Sequence, residues 1–183
     1  MSRVTLVYPY ANMGDWPPLG LAQLAAVLEQ HGHEVQILDL NWAQRNGLDH
    51  HHYLVDGLRA KPPDVIGITA TTPLIPPAYQ AAHLVKQLYP KVPIILGGTH
   101  ATALPEQTLH ECKAIDVVAR GEGELTLLEL ANGLPWEEIQ GLTFRNGNSF
   151  KTTPSRPPIE NIDLLPLPAR HLLHMDHYTR PTP

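Results

Sequence analysis

Four stretches of the chain combine glycines and hydroxyls with very little charge. They are Pro9-Tyr10-Ala11-Asn12-Met13-Gly14-Asp15-Trp16-Pro17-Pro18-Leu19-Gly20, Thr69-Ala70-Thr71-Thr72-Pro73-Leu74, Gly97-Gly98-Thr99-His100 and Arg120-Gly121-Glu122-Gly123-Glu124. Paired glycines let a backbone approach a bulky ligand where a Cβ would collide. Threonine hydroxyls bond amides or phosphates without adding charge, and helix N-termini behind such turns offer N–H groups to a phosphate. Taken singly, each run has a plain reading: two glycines make a tight turn, and threonines cap helices. No general acid or base is visible, so no catalytic residue is assigned. Together the four runs describe a binding surface for a large ligand.

Spacing excludes several other chemistries. A dinucleotide fold needs G-x-G-x-x-G directly after the first strand, and Asn12-Met13-Gly14-Asp15 does not supply it. Gly121-Glu122-Gly123 follows the fifth strand, which is the wrong place for that fingerprint. There is no P-loop lysine and no G-x-S-x-G elbow, and Thr69 stands where a phospho-acceptor receiver would end its third strand in Asp. The 11 histidines invite a metal reading. His50, His51 and His52 are consecutive, so on a helix they point three ways and read as a solvated helix start. His31 and His33 bracket Gly32 in a turn. His171, His174 and His177 share a helical face, but no acid or cysteine network supports them, so no metal ligand is assigned. His100 alone lies at the presumed ligand edge, where capping and binding both stay open.

The elements that position these runs alternate along the chain. Short apolar strands are expected at Val4–Tyr8, Glu34–Leu38, Val65–Thr69, Pro93–Leu96 and Ile115–Ala119. Leu19, Leu21, Leu24, Ala25, Val27 and Leu28 give the face of a first helix that Gly32 closes. Further helices are expected over Asp49–Ala60, Pro77–Tyr89, Pro105–Cys112 and Glu122–Asn132. Several strands are apolar without alternation, as in parallel strands covered on both faces. Five strand–helix repeats predict an α/β fold with a doubly wound, five-stranded parallel sheet. Ligands of such sheets bind beyond the carboxyl ends of the strands, which is where all four runs fall. Leu142–Phe144 and Ser149–Lys151 flank Asn146-Gly147, the signature of a tight hairpin.

Composition bounds the rest. The 183 residues carry 13 basic and 18 acidic side chains, a formal charge of −5, with no Lys/Arg block that would track nucleic acid. Hydrophobic residues make 43%, and no apolar run approaches the ~18 residues of a membrane span. The start MSRVTLVYPY is no signal peptide, so a cytoplasmic location is expected. The single cysteine, Cys112, rules out a disulfide framework or a cysteine-ligated cluster within these residues. Seven of the 19 prolines fall in residues 151–183, which places a boundary near Lys151. The expected organisation is an α/β domain over 1–134, a β-hairpin extension over 135–153 and a proline-rich linker over 154–183. That last segment reads as a linker or docking strap, with a disordered tail as the alternative.

Four motifs in order carry a resemblance: Pro17-Pro18-Leu19-Gly20-Leu21-Ala22, Pro62-Pro63-Asp64-Val65-Ile66-Gly67-Ile68-Thr69-Ala70-Thr71, Leu96-Gly97-Gly98-Thr99-His100-Ala101-Thr102 and Arg120-Gly121-Glu122-Gly123-Glu124. Together they resemble the N-terminal cobalamin-binding domain of cobalamin-dependent radical S-adenosylmethionine enzymes, a Rossmann-like, flavodoxin-like fold. The likeness extends in particular to the anaerobic magnesium-protoporphyrin IX monomethyl ester cyclase type and covers about residues 3–178, with Ile139–Phe150 and Pro158–Asp163 matching that family's hairpin and linker. The resemblance implies cobalamin lying across the strand ends, its nucleotide tail reaching into the sheet edge. Asn12, Met13, Gly14, Asp15, Trp16 and Pro17 would line one side of the corrin, and Thr69, Ala70, Thr71, Thr72, Pro73 and Leu74 another. Gly97, Gly98, Thr99 and His100 would flank the tail, with Gly121, Glu122 and Gly123 closing the pocket. Met13, Trp16 and Leu74 would shield the lower face of cobalt.

Two departures matter. Many cobalamin proteins carry Asp-x-His-x-x-Gly after the first strand, the histidine binding cobalt from below. Here the matching stretch is Asp15-Trp16-Pro17-Pro18-Leu19-Gly20, with Pro17 in the histidine slot. Proline offers no lone pair, so base-off cobalamin without a histidine from this loop is expected. The Cys-x-x-x-Cys-x-x-Cys motif of radical enzymes is also missing. S-adenosylmethionine and a 4Fe-4S cluster would then belong to a downstream radical domain, in cis or in trans, which would also bind the small-molecule substrate. The chain is expected to bind cobalamin and present it to that methyltransferase or cyclase, with no catalysis alone. Leu24–Leu38 also has a helix–Gly-His–strand cadence, which keeps open the N-terminal half of a two-domain glycosyltransferase, or a ligand-free interaction domain.

Overall fold

The computed structural model describes residues 1–10 and 16–178. Its elements run β1 (Arg3–Tyr8), α1 (Leu19–Gln30), β2 (Glu34–Asp39), α2 (Leu40–Arg45), α3 (His50–Ala60), β3 (Val65–Thr69), α4 (Ile75–Leu88), β4 (Ile94–Gly97), α5 (Thr99–Ala103), α6 (Pro105–Glu111), β5 (Val117–Ala119) and α7 (Glu124–Ala131). The hairpin β6 (Leu142–Asn146) and β7 (Ser149–Thr152) follows, and α8 (Met175–Tyr178) closes the described chain. Single 3₁₀ turns occupy Thr72–Leu74, Ile162–Leu164 and Arg170–Leu172.

Local signals explain most boundaries. Gly32 takes φ +80° just past α1, a left-handed conformation that only glycine adopts without cost. Asp39 and Asp49 cap α2 and α3, accepting from the N–H groups of Trp42 at 2.9 Å and His52 at 2.8 Å. Pro76 and Pro77 fall in the first turn of α4, where a missing N–H removes no helical bond.

The strands form one sheet in the order β2-β1-β3-β4-β5-β6-β7. The first five are parallel, as expected. The hairpin is no separate appendage: β6 pairs antiparallel with β5, matching Val118 to Thr143, and extends the sheet to seven strands. Strand direction of travel reverses between β1 and β3, so the switch point lies at their carboxyl ends.

Alternation along the strands builds two cores. Val4, Leu6, Val65, Ile95, Val117 and Ala119 face α1 and α7. Val7, Ile66, Ile68, Ile94, Leu96 and Val118 face the layer that carries α3, α4 and α6. On the first of these faces, the period of two also assigns Gly67 to β3 and Gly97 to β4, just beyond Val65 and Ile95. The carboxyl end of that face therefore carries almost no side-chain volume.

The proline-rich segment docks on the body. The Ala169 N–H donates to the Ala22 carbonyl at 2.9 Å, and the Gln23 amide donates to the Pro166 carbonyl at 2.9 Å. Ala169 and Leu173 are buried in the α1/α7 core, with Leu165, Leu172 and Met175 packed against it. Arg156 pairs with Glu129 of α7 and donates to the Thr126 hydroxyl at 2.9 Å.

Candidate functional site

The volume missing at Gly67 and Gly97 opens a cleft of about 250 Å³ between the sheet and the helices α1 and α7. Leu6, Gly67 and Ile95 line it from the sheet, with Thr69, Gly97 and Ala119 toward the strand ends. Gly20, Leu21 and Leu24 border it from α1; Gly123, Glu124 and Leu127 border it from the α7 side. A Cβ built on Gly67 would stand 2.9 Å from Leu6 Cδ2 and 3.9 Å from Leu127 Cδ2, so any side chain there intrudes on the floor.

The glycine loops are tied to one another around this cleft. Gly98 adopts φ +96° and ψ 178°, a region essentially closed to other residues. A Cβ there would come within 2.6 Å of the Ala70 carbonyl oxygen. The Ala70 N–H donates to the Gly97 carbonyl at 3.0 Å. The Gly121 N–H donates to the Thr102 hydroxyl at 3.0 Å, joining the loop after β5 to α5. Backbone contacts thus join the Thr69–Leu74 and Gly97–His100 runs, and a hydroxyl ties the Arg120–Glu124 run to α5, all without side-chain charge.

The residues singled out from sequence divide into several groups. Asn12, Met13, Gly14 and Asp15 lie outside the described residues. Thr69, Gly97, Gly98, Gly121, Glu122 and Gly123 all line the cleft. Thr71, Thr72, Pro73 and Thr99 are exposed at the strand-end rim, as is Trp16 at 75%. Pro17 is half-buried. Ala70 is buried, and Leu74 is only 7% exposed within the opposite core, so its side chain packs under α4 instead of facing the rim. His100 is brought to the edge but does not line the cleft, and its Nδ1 shares a hydrogen bond with the Thr72 hydroxyl at 3.1 Å. Gln107 first, then Tyr79, hold the Glu111 carboxyl below the usual range, and the nearby His100 ring adds to that effect. Burial, then the bond to Glu111, pushes the Tyr79 hydroxyl up to about 12.

The C-terminal histidines go to separate partners. His171 meets Glu29 at 3.1 Å, His174 stacks on Trp42 at 3.4 Å between ring centroids, and His177 lies 3.4 Å from the Asn46 amide. Among the described residues no three His, Cys, Asp or Glu side chains gather as a metal site. No described helix is long and apolar enough to cross a membrane.

Sequence reasoning missed most of the cleft's inner wall, namely Leu6, Leu21, Leu24, Gly67, Ile68, Ile95, Ala119 and Leu127, whereas Gly20 and Glu124 fall inside the expected runs. Gly67 carried a usable signal, because a glycine inside the strand Val65–Thr69 marks a place where something approaches closely.

Residues 12–131 match the B12 binding domain family. The chain belongs to that family. Membership fixes its ligand class as cobalamin and leaves the glycosyltransferase reading without support. An uncharacterized methyltransferase of Pyrococcus horikoshii is 39% identical over 166 residues, covering 88% of this chain and 35% of that protein. The anaerobic magnesium-protoporphyrin IX monomethyl ester cyclase of Cereibacter sphaeroides is 30% identical over 175 residues, covering 88% of this chain and 28% of the cyclase. The B12-binding chain therefore spans about a third of the length of these relatives. The fold is shared with the radical S-adenosylmethionine methyltransferase TsrM of Kitasatospora setae, solved with cobalamin and a 4Fe-4S cluster bound. That match has a TM-score of 0.74 at 22% identity, over 90% of this chain and 31% of that one.

Proposed function

We propose that this B12-binding domain holds cobalamin base-off at the carboxyl ends of β1, β3, β4 and β5, with the nucleotide tail in the cleft. The carrying observation is the bare end of the α1/α7 face, where Gly67, Gly97 and Ala119 leave a cleft with an apolar floor. Ligand pockets for whole drug-sized molecules run to ~300–1,000 Å³. A cleft of about 250 Å³ therefore suits a bicyclic base, with the corrin remaining outside on the rim. Gly20 and Gly97 support the fit: a Cβ on Gly20 would meet nothing within 4 Å, and one on Gly97 only the Ala119 carbonyl at 3.9 Å.

In this reading Trp16 and Pro17 flank one side of the corrin and Thr71, Thr72 and Pro73 another. Gly97, Gly98, Gly121 and Gly123 let the backbone close on the tail. Pro17 stands in the histidine slot, so the first loop gives cobalt no histidine. When bound, cobalamin supplies the cobalt chemistry of group transfer, and the protein supplies orientation and exclusion of water. The length and names of the relatives support a catalytic unit of the radical S-adenosylmethionine class as partner, in cis or in trans, acting as methyltransferase or cyclase in the cytoplasm. We read residues 154–178 as the strap that leads toward that unit.

Mixing the purified chain with hydroxocobalamin and desalting tests the binding. A retained red colour with a base-off absorption spectrum is expected; a folded, colourless protein rejects the proposal. Reduction to Co(II) followed by electron paramagnetic resonance tests the lower face. Lines without nitrogen splitting are expected; splitting from the ligand's own base overturns the base-off assignment, and splitting from a protein imidazole overturns the absence of a histidine below cobalt.

A further inference from the structure

Two carboxylates border the cleft, and they stand in different circumstances. Glu122 Oε2 accepts the Ile159 N–H at 2.7 Å, so the strap engages it. Glu124 Oε2 is shut off from solvent and receives no hydrogen bond among the described residues. Thr69 is the one further polar side chain on the described lining; the rest is apolar or glycine. A buried carboxylate oxygen without a donor is costly, and such an atom in a native fold marks a place where something else completes the site. The missing partner must bring an N–H or O–H. It must also belong to a molecule whose other end suits Leu6, Gly67 and Leu127, which means an apolar, flat group.

A nucleotide of the cobalamin tail has both parts: an aromatic base and, next to it, ribose hydroxyls. We propose that Glu124 is a specificity-determining residue for that tail, its Oε2 accepting a hydrogen bond from a ribose hydroxyl once the base enters the cleft. This rests on the cobalamin reading above. The amides around the corrin are the competing donors, and a corrinoid that lacks the nucleotide still carries them.

The test compares hydroxocobalamin with cobinamide, which keeps the corrin amides and has no nucleotide, on the full chain and on its Glu124→Leu and Glu124→Gln variants. Wild type is expected to prefer cobalamin. Glu124→Leu is expected to lose ~10-fold or more in cobalamin affinity, the effect of one hydrogen bond to a charged group, with cobinamide unchanged. Glu124→Gln keeps the shape and one acceptor oxygen, so a smaller loss is expected; it carries the comparison if the leucine variant melts early. Equal losses for both corrinoids, or no loss for cobalamin, overturn the assignment. A wild-type chain that binds neither corrinoid sinks the cobalamin reading itself, whereas one that prefers cobalamin while both variants match it sinks only the role of Glu124.

Discussion

Gly97 and Gly98 are neighbours with opposite tolerances. A methyl on Gly97 meets only the Ala119 carbonyl at ordinary contact distance. A methyl on Gly98 collides with Ala70 and forces an L-residue to φ +96°, where strain alone costs 1–3 kcal/mol. Gly98→Ala is therefore expected to destabilise the fold by about 3 kcal/mol and Gly97→Ala by less than about 0.5 kcal/mol in urea unfolding. Similar losses for both would remove the case that Gly98 is fixed by its conformation. Asp39 makes a second residue-scale case. It is buried at the end of β2, and burial raises its carboxyl pKa despite the opposing bonds from the Tyr178 hydroxyl and the Trp42 N–H. A carboxyl raised on folding holds its proton more tightly in the native state, so stability falls as pH climbs from the unfolded value near 4 through the native one. Asn keeps the helix cap and has no charge to bury. Asp39→Asn is thus expected to gain on wild type between pH 3 and pH 7, and a loss over that range would reverse the sign.

At the scale of elements, the hairpin does more than close the chain. Arg145 of β6 reaches across the sheet edge and donates to the carbonyls of Leu109, Cys112 and Ile115, the last at a close approach, with Cys112 at 2.9 Å. These carbonyls end α6 and lead into β5, so one guanidinium joins the hairpin to the fifth repeat. Arg145→Leu leaves the Leu109 and Ile115 carbonyls without this donor, while the Cys112 carbonyl keeps the Ile115 N–H at 3.3 Å, and a loss of about 2 kcal/mol is expected. Chemical denaturation checks it, and a change below about 0.5 kcal/mol would show that water replaces the guanidinium. The hairpin itself was legible from Asn146-Gly147, but its partner was not, because pairing with β5 lies far off in sequence. The five parallel strands were legible because each is a short apolar run between glycines and prolines. Helices α2 and α5, of six and five residues, were not, since neither is long enough to show a period. Site residues followed the same division. Backbone positions such as Gly97, Gly98 and Gly121 could be placed by order alone, whereas the directions of Leu74 and His100 depend on packing that the sequence does not spell out.

At the scale of the whole molecule, the cleft and the strap share two walls. Helices α1 and α7 cover the cleft on one side, and the strap grips the outside of both, through Ala22 and Gln23 on α1 and through Glu122 and Glu129 beside and on α7. His171 adds a contact to Glu29 near the end of α1. In the reading proposed above the nucleotide tail lies between sheet and helices, and the strap fixes the outside of the two helices that wall it. Its burial of Ala169 and Leu173, with Leu165 and Leu172 beside them, is the equivalent of two or three core side chains and contributes about 5 kcal/mol. Deleting residues 157–183 should therefore lower the melting temperature by several degrees and weaken cobalamin by ~10-fold or more, as the walls become free to part. Ile162, Leu164 and Leu167 belong to the same segment but stand 71%, 77% and 90% exposed. Replacing these three with serine should change neither stability nor affinity, which separates the grip of the strap from its mere presence. If the shortened chain melts lower yet binds cobalamin as tightly as the full one, the strap stabilises the fold without bracing the cleft. If the serine variant loses affinity instead, the outward face of the strap takes part in binding, and the bracing account fails at its second arm.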